Sequence, residues 1–222
     1  MLRKYFDDNK SLLNQLEVNY TTAVILLHPF IQAKDKRCNS SDNYYPDLEE
    51  IICETKRYYW TNFIENQIML SKEEIEVALK TINGSYNKRY KREDLSSRLI
   101  KHLPSNLFLP TTDQISEYIL IDIISYLKQE KKEQLLYTDP LTEENGVIDL
   151  SNIELKKIYN LFRSEMIIED IDNDFLLMSV YDSHFSILLS NEKKIEELLE
   201  AINVEHIKCD QLTTINWYEQ IT

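Results

Sequence analysis

Hydrophobic residues in the first half of the chain recur at helical spacing. The clearest segment begins at Ser71, which forms a capping box with Glu74 and precedes apolar residues on one helical face. The Asn-Gly pair at 83–84 then provides a helix stop. From Thr111 to about Glu130 a wide apolar stripe predicts a second helix that is buried on more than one side.

Three other segments of this half have weaker patterns. Cys53 to Leu70 is predicted to be helical, and Lys34 to Pro46 is polar enough to form an exposed loop. Ala23 to Leu27 is a short apolar run, which fits either a buried strand or the end of a helix because periodicity does not separate the two.

The second half changes to short β-rich runs. Strands are predicted at 134–137, 147–150, 166–171, 175–181, 185–189 and about 204–209, and capped helices at 151–163 and 191–202. The Asn-Gly pair at 145–146 predicts a turn. The fold class is therefore α+β, with a helical N-terminal half and a mostly antiparallel sheet with flanking helices, on one face, in the C-terminal half.

The 222 residues are predicted to form a single α+β domain, 1–222. An alternative boundary lies in the charged segment at 128–133. It would separate a mainly helical part, 1–130, from a mixed β/α part, 131–222.

Glycine is scarce, which excludes whole classes of nucleotide site. Only Gly84 and Gly146 occur. Walker A and Rossmann loops need two or three closely spaced glycines, because backbone amides approach the phosphates without an intervening Cβ. No cofactor is predicted.

Charge is distributed unevenly along the chain, whose net charge is −13. Residues 1–111 contain 16 Lys or Arg against 15 Asp or Glu, whereas residues 112–222 contain 9 against 23. A surface with the acidic excess of residues 112–222 repels nucleic acid and anionic lipid, and it attracts basic proteins. A basic protein is the predicted partner, no membrane partner is expected, and homo-oligomers are an open alternative.

A cytoplasmic location is predicted. The first ten residues include acids where a secretory signal would have an apolar stretch, and the apolar runs are too short to span a bilayer. The three cysteines, Cys38, Cys53 and Cys209, include no close pair, so neither a disulfide framework nor a zinc knuckle is predicted.

The catalytic candidates are in the segment 181–185, where Asp182 and His184 would share one face of an extended chain. His206 is a third candidate, with Cys209 and Asp210 as neighbours. The alternative is a hairpin turn, in which Asp182 bonds local amides and His184 is partly exposed.

An acidic run resembles the start of a calcium loop, with Asp170, Asp172 and Asp174 at its first, third and fifth positions. Phe175 replaces the required glycine and Tyr181 the bidentate glutamate, so no metal is predicted. We interpret the run as a solvated turn between strands, with a part in an acidic binding surface as the alternative. The candidate contact residues of that surface are Asp170, Asp172, Asp174, Glu192, Glu196 and Glu200.

The segment Lys80 to Arg92 is the basic counterpart, with Tyr86 and Tyr90 between its charges and no acid. Basic residues interleaved with aromatics bind single-stranded nucleic acid. The net charge disfavours that function, and pairing with the protein's own acidic half is the alternative.

The C-terminal string VYDSHFSILLSNEKKIEELLE, followed by EHIKCD and Trp217, resembles the final hairpin, helix and strand of an uncharacterised family of Gram-positive bacteria. LLHPF at 26–30 fits the same family. The resemblance implies no activity. In general style the chain is also similar to bacterial toxin-immunity proteins.

Three functions remain open. The favoured one is a non-catalytic binding or inhibitor protein, immunity-like, which engages a basic partner through its acidic half. The second is a small hydrolase or metal-dependent enzyme that uses His184 and Asp182. The third is a nucleic-acid-associated factor that uses Lys80 to Arg92.

Overall fold

The computed structural model describes residues 6–16, 19–34, 45–65, 70–86, 90–152, 154–161 and 164–220. Its strands are β1 Thr22–Leu27, β2 Phe30–Ala33, β3 Thr55–Tyr58, β4 Leu107–Phe108, β5 Gln134–Thr138, β6 Asn145–Asp149, β7 Ile167–Asp170, β8 Phe175–Ser179, β9 Phe185–Ser190 and β10 His206–Lys208. Its α-helices are α1 Leu48–Glu54, α2 Trp60–Phe63, α3 Lys72–Asn83, α4 Glu93–His102, α5 Glu117–Gln129, α6 Leu155–Leu161 and α7 Glu192–Ala201. Short 3₁₀ segments lie at Leu13–Gln15 and Trp217–Gln220. The predicted α+β class is confirmed.

The large sheet has the strand order β10-β1-β9-β8-β7-β5-β6, and the pairings described are antiparallel. Strand β1, from the first half of the chain, lies between β9 and β10 of the second half. A small sheet of β3, β2 and β4 follows β1 directly in the chain.

Helices cover both faces of the large sheet, whereas the sequence predicted helices on one face. Ile25 on β1 belongs to a core with α3 and α4, and the adjacent Val24 belongs to a second core with α5, α6 and α7. All six residues of β9 are buried. Continuous apolar runs, rather than alternating ones, are typical of strands that are covered on both faces.

The caps of α3 form as predicted. Ser71 Oγ accepts a hydrogen bond from the backbone N–H of Glu74, and the Glu74 carboxylate accepts one from the backbone N–H of Ser71. Gly84 ends the helix with φ 77°, a left-handed conformation that glycine adopts without steric cost. The apolar face of α3 packs onto the sheet, and this contact places its C-terminal half beside the β8–β9 turn.

Other predicted segments differ from the structure. Part of 53–70 forms β3, because Thr55–Tyr58 pairs with β2, and only Trp60–Phe63 of its later part is described as α-helix. The Asn-Gly pair at 145–146 begins β6 instead of forming a turn, with Gly146 opposite the ring of Tyr137. Helix α5 begins only at Glu117, and 35–44 of the predicted loop lies outside the described residues.

Candidate functional site

The two candidate sites predicted from sequence lie at opposite ends of the large sheet. The β8–β9 turn, 180–184, precedes β9 at the end where Leu27 pairs with Phe185. The β7–β8 turn, 171–174, lies at the other end, where Phe175 pairs with Ser190. Strand β9 has six residues, so the ends are about 20 Å apart at ~3.4 Å per residue.

Helix α3 is joined to the β8–β9 turn by a fully buried pair, Glu76 and His184. The Oε2 atom of Glu76 lies 3.2 Å from His184 Nδ1, and Glu76 Oε1 accepts the backbone N–H of His184 at 3.2 Å. On the other side of the ring, Asn83 Nδ2 lies 2.9 Å from Nε2. Burial alone would raise the pKa of Glu76, but His184 and Lys80 lower it overall. The sequence alternative of a partly exposed His184 is therefore wrong.

A second buried histidine, His28, bonds the hydroxyl of Ser186. His28 Nδ1 lies 2.9 Å from the carbonyl oxygen of Thr111, and Nε2 lies 2.8 Å from Ser186 Oγ. Because a carbonyl only accepts, Nδ1 carries the proton and Nε2 accepts from the hydroxyl. Burial lowers the pKa of His28 to about 4. The pair has the chemistry of a nucleophile and its base, but both side chains are fully buried, so no substrate reaches Ser186.

The predicted catalytic residues do not meet at one point. Asp182 bonds through its backbone, since its N–H donates to Asp113 Oδ1 at 2.6 Å and its carbonyl accepts from Lys80 Nζ at 2.6 Å. The carboxylate partner of His184 is Glu76. His206 lies on β10, which β1 separates from β9. Nearby, burial raises the pKa of Cys209 to about 12, so its thiol is a poor nucleophile.

A cavity of about 500 Å³ adjoins the β8–β9 turn. We call it the Lys80 cavity. Its polar lining includes Lys80, Glu165, Asp182 and the exposed Asp8. Its main apolar lining residues are Phe6, Leu141, Ile167, Met178, Val180 and Ile215. The volume falls in the range of about 300–1,000 Å³ that small-molecule sites occupy.

The Lys80 side chain is a buried cation on the wall of this cavity. Its Nζ donates to the Asp182 carbonyl and lies 5.9 Å from the ring centre of Tyr86 and 5.0 Å from that of Tyr218. Burial lowers the pKa of Lys80, while Glu76, Asp182 and other nearby acids oppose that shift. The ammonium group is thus stabilised by a carbonyl and two aromatic faces.

Glu165 is the second buried charge of the cavity. It is 8% exposed and makes no hydrogen bond or ion pair within the described part of the chain. Burial raises its pKa, and the nearby carboxyl groups of Asp113, Asp139 and Asp182 raise it further. Lys80 and Glu165 therefore line one cavity without pairing with each other.

A shallower groove of about 550 Å³ includes Asn83, Gln114 and Tyr159 in its lining. Glu117 is fully buried; its Oε1 accepts from Gln114 Nε2 at 3.1 Å and from the Tyr159 hydroxyl at 3.3 Å. Its Oε2 has no partner among the described residues. Burial raises the pKa of Glu117 to about 7, so this carboxyl titrates near neutral pH.

At the other end of the sheet, Lys132 binds the acidic turn. Its Nζ lies 3.0 Å from Asp170 Oδ2, 2.5 Å from Asp172 Oδ2 and 3.2 Å from Asp174 Oδ2. Carboxylate oxygens of these three residues lie within 4.8 Å of one another and could hold a metal ion. In this structure the Lys132 ammonium supplies the positive charge instead.

The second acidic stretch, on α7, begins at the same end of the sheet. Ser190, which precedes α7, donates from Oγ to the carbonyl of Asp174 at 2.6 Å. Glu192, Glu196 and Glu200 are exposed at intervals of four, and Glu196 pairs with Lys208 at 2.5 Å. Asp170, Asp172, Asp174 and Glu192 thus lie at this end, whereas Glu196 and Glu200 lie farther along α7.

Comparison with known proteins gives the family. The family described as "Protein of unknown function (DUF2711)" matches residues 8–219. The chain belongs to this family. "Uncharacterized protein YwbB" of Bacillus subtilis (strain 168) is 30% identical over 219 residues, which cover 96% of this chain and 97% of that relative. The predicted resemblance to an uncharacterised Gram-positive family is confirmed, and no solved structure matches.

The remaining sequence predictions for this DUF2711 chain concern membrane spans and the basic segment Lys80 to Arg92. Among the described residues, no helix has the length and apolar character needed to cross a bilayer. In the predicted basic segment, Lys80 is buried in the cavity wall and Arg92 pairs with Asp94 at 2.8 Å. Residues 87–89, with two of its basic side chains, lie outside the described residues.

Sequence reasoning missed Glu76 and Glu165, and placed Lys80 only in the basic segment. A usable signal existed on α3, where Glu76, Lys80 and Asn83 recur at intervals of four and three beside the apolar stripe. No comparable signal marks Glu165, since its role depends on strands and turns that meet only in the fold.

Proposed function

We propose that this protein is a non-catalytic binding protein whose small-molecule ligand occupies the Lys80 cavity. The proposal is carried by Lys80 and Glu165, two buried charges that line one cavity without forming an ion pair. Lys80 has a carbonyl and two aromatic rings as partners, whereas Glu165 has no partner among the described residues, and burying a charge without a partner is costly. Buried side chains with perturbed pKa values in a concave site are typical of functional sites.

A binding role is favoured over hydrolysis because the candidate catalytic groups do not share an accessible point. Ser186, His28 and His184 are fully buried, and Asp182 does not bond His184. Hydrolysis needs a nucleophile and a base that a substrate can reach together.

Ligand-observed NMR with a diverse fragment set tests the proposal. Leu141 lines the cavity and is 62% exposed, so Leu141→Trp narrows the entrance without disturbing the core. Leu212 is 77% exposed and does not line the cavity, so Leu212→Trp is a matched control. We expect fragments that bind the wild type and Leu212→Trp but bind Leu141→Trp several-fold more weakly. Absence of binders, or equal binding to both variants, would contradict the proposal.

A second candidate function is recognition of a basic protein through the acidic end. It is favoured by the β7–β8 turn and the start of α7, which lie at one end of the sheet with Asp172 and Glu192 exposed, and by the exposed Glu196 and Glu200 farther along α7. Clustered charges of one sign steer a partner of opposite sign into contact. An inhibitor would act by occluding the functional surface of that partner.

Affinity capture at low and raised salt tests this second function. The variant should change Glu192, Glu196 and Glu200 to Gln. Asp170 and Asp174 are left unchanged because both are bonded to Lys132. We expect one basic protein that is retained at low salt, released at higher salt and absent with the variant. Capture of the same proteins by both forms would exclude the acidic end as the contact surface.

A further inference from the structure

The surroundings of Glu165 indicate the charge of the ligand. Its carboxyl group lines the Lys80 cavity and has no hydrogen bond or ion pair within the described residues, and the described charges that act on its pKa are those of further carboxyl groups. Asp113 belongs to the loop before α5, Asp139 to the β5–β6 turn and Asp182 to the β8–β9 turn. Three separate segments thus bring negative charge toward one buried acid.

We propose that the ligand of the Lys80 cavity is an organic cation, an alkylammonium or guanidinium group on an apolar body, whose charged end binds Glu165. This inference rests on the proposed small-molecule function. A cation at this position would donate a hydrogen bond to Glu165 and offset the surrounding carboxylates.

Lys80 does not serve as that cation and does not prevent one from binding. Its ammonium already donates to the Asp182 carbonyl and faces the rings of Tyr86 and Tyr218, with Glu76 one helical turn away. These partners already compensate the charge of Lys80. The charge of Glu165 has no such partner among the described residues, so a cationic ligand is favoured over an anionic one.

The carboxyl groups around Glu165 are too widely spaced to share one metal ion. Among the described residues, three or more metal-ligating side chains come within 4.8 Å of one another at Asp170, Asp172 and Asp174, which lie at the other end of the sheet. The carboxyl groups around Glu165 do not form such a group. An extended organic cation tolerates that spacing because its N–H donors point in different directions.

The apolar lining gives the rest of the ligand its character. Ile167, Met178 and Ile215 line the cavity together with the exposed Leu141. An aliphatic or aromatic body would bury its surface against these side chains, which adds hydrophobic stabilisation to the charge interaction.

Binding of such a cation should depend on pH. Burial and the neighbouring Asp113, Asp139 and Asp182 raise the pKa of Glu165. Lys80 on α3 and Asp8 near the N-terminus also line the cavity. Because the cation requires ionised Glu165, its affinity falls as pH decreases through this raised pKa.

A matched series of three probes tests the inference by calorimetry: 2-phenylethylammonium, the neutral 2-phenylethanol and the anionic 3-phenylpropionate. The variant Glu165→Gln removes the charge, and it should fold because the ionised carboxyl is disfavoured at this position. Glu200→Gln makes the same change in net charge at an exposed position on α7 and is the control.

We expect the ammonium probe to bind the wild type and Glu200→Gln about tenfold more tightly than the other two probes, a difference typical of one charge-assisted hydrogen bond. In Glu165→Gln this preference should disappear. Tighter binding of the alcohol or the anion would overturn the inference and leave the cavity proposal intact. If none of the three binds, the inference fails and the cavity proposal loses its support.

Discussion

Glu76 Oε2 and His184 Nδ1 lie 3.2 Å apart, although 108 residues separate them in the chain. Both side chains are fully buried. The contact attaches α3 to the β8–β9 turn, and these two elements supply Lys80 and Asp182 to the cavity wall. The shape of the cavity therefore depends on a polar contact beneath it.

Removal of the Glu76 carboxyl should destabilise the fold strongly. Glu76→Ala leaves His184 Nδ1 and its backbone N–H without their acceptor, and loss of one partner of a buried pair typically costs about 3–5 kcal/mol. Glu200→Ala, at an exposed position, should cost less than about 0.5 kcal/mol. Urea denaturation measures both. Equal effects would show that the buried pair contributes nothing to the free energy of unfolding.

Glu117 should make stability depend on pH between about 4.5 and 7. Its pKa is raised by burial from 4.5 to about 7, so the folded state binds the proton more tightly than the unfolded state does. The contribution of Glu117 to the free energy of unfolding is therefore complete below pH 4.5 and is lost as the pH rises through 7. Glu117→Gln removes this pH dependence. The free energy of unfolding of the variant minus that of the wild type should therefore be larger at pH 8 than at pH 4.5, by up to about 3 kcal/mol.

Denaturant unfolding of both proteins across that pH range checks the Glu117 prediction. The lowered pKa of His28 contributes an opposite pH dependence, but it is common to both proteins and cancels in the comparison. A difference between variant and wild type that stays constant with pH would contradict the prediction.

The acidic turn should contain one structural aspartate and one dispensable one. Asp170 is fully buried against Lys132, whereas the Asp172 side chain is 64% exposed. Asp170→Asn should cost about 2 kcal/mol, the value of a hydrogen bond to a charged group, because Lys132 keeps its other partners, and Asp172→Asn should cost about 0.5 kcal/mol or less. Thermal unfolding of the two isosteric variants compares them directly. A larger loss at Asp172 would reverse this assignment.

The described cysteines should differ in reactivity. Cys53 is exposed, whereas burial raises the pKa of Cys209 to about 12. Because the thiolate is the reactive form, iodoacetamide at pH 8 should modify Cys53 first and Cys209 only after unfolding. Peptide mass spectrometry distinguishes the two sites. Rapid modification of native Cys209 would restore it as a candidate nucleophile.

Local patterns predicted the elements whose sequence signals are complete within a short segment. Ser71, Glu74 and Gly84 define both ends of α3, and the hairpin of β8 and β9 follows from its β-rich runs. Strand β3 was predicted as helix because its structure comes from pairing with β2, a partner more than 20 residues earlier. The apolar runs of β1 and β9 did signal two covered faces, but the prediction assigned only one.

The candidate site was less accessible to sequence reasoning. The sequence drew attention to the polar segment 181–185, but the partners of that segment come from α3 and from the loop that contains Asp113. Such long-range contacts leave no spacing that a single sequence displays. The acidic run was visible because its charges are adjacent, yet its pairing with Lys132, about 40 residues away, was not.

Amide chemical-shift mapping with 2-phenylethylammonium tests the central claim, that the Lys80 cavity is the binding site, most directly. We expect the shifts to concentrate at 178–183 and at Ile215, Asn216 and Tyr218, which line the cavity, and the amides of α7 to stay unchanged. Shifts that concentrate on α7 and the β7–β8 turn, or no shifts in the cavity at saturating probe, would contradict it.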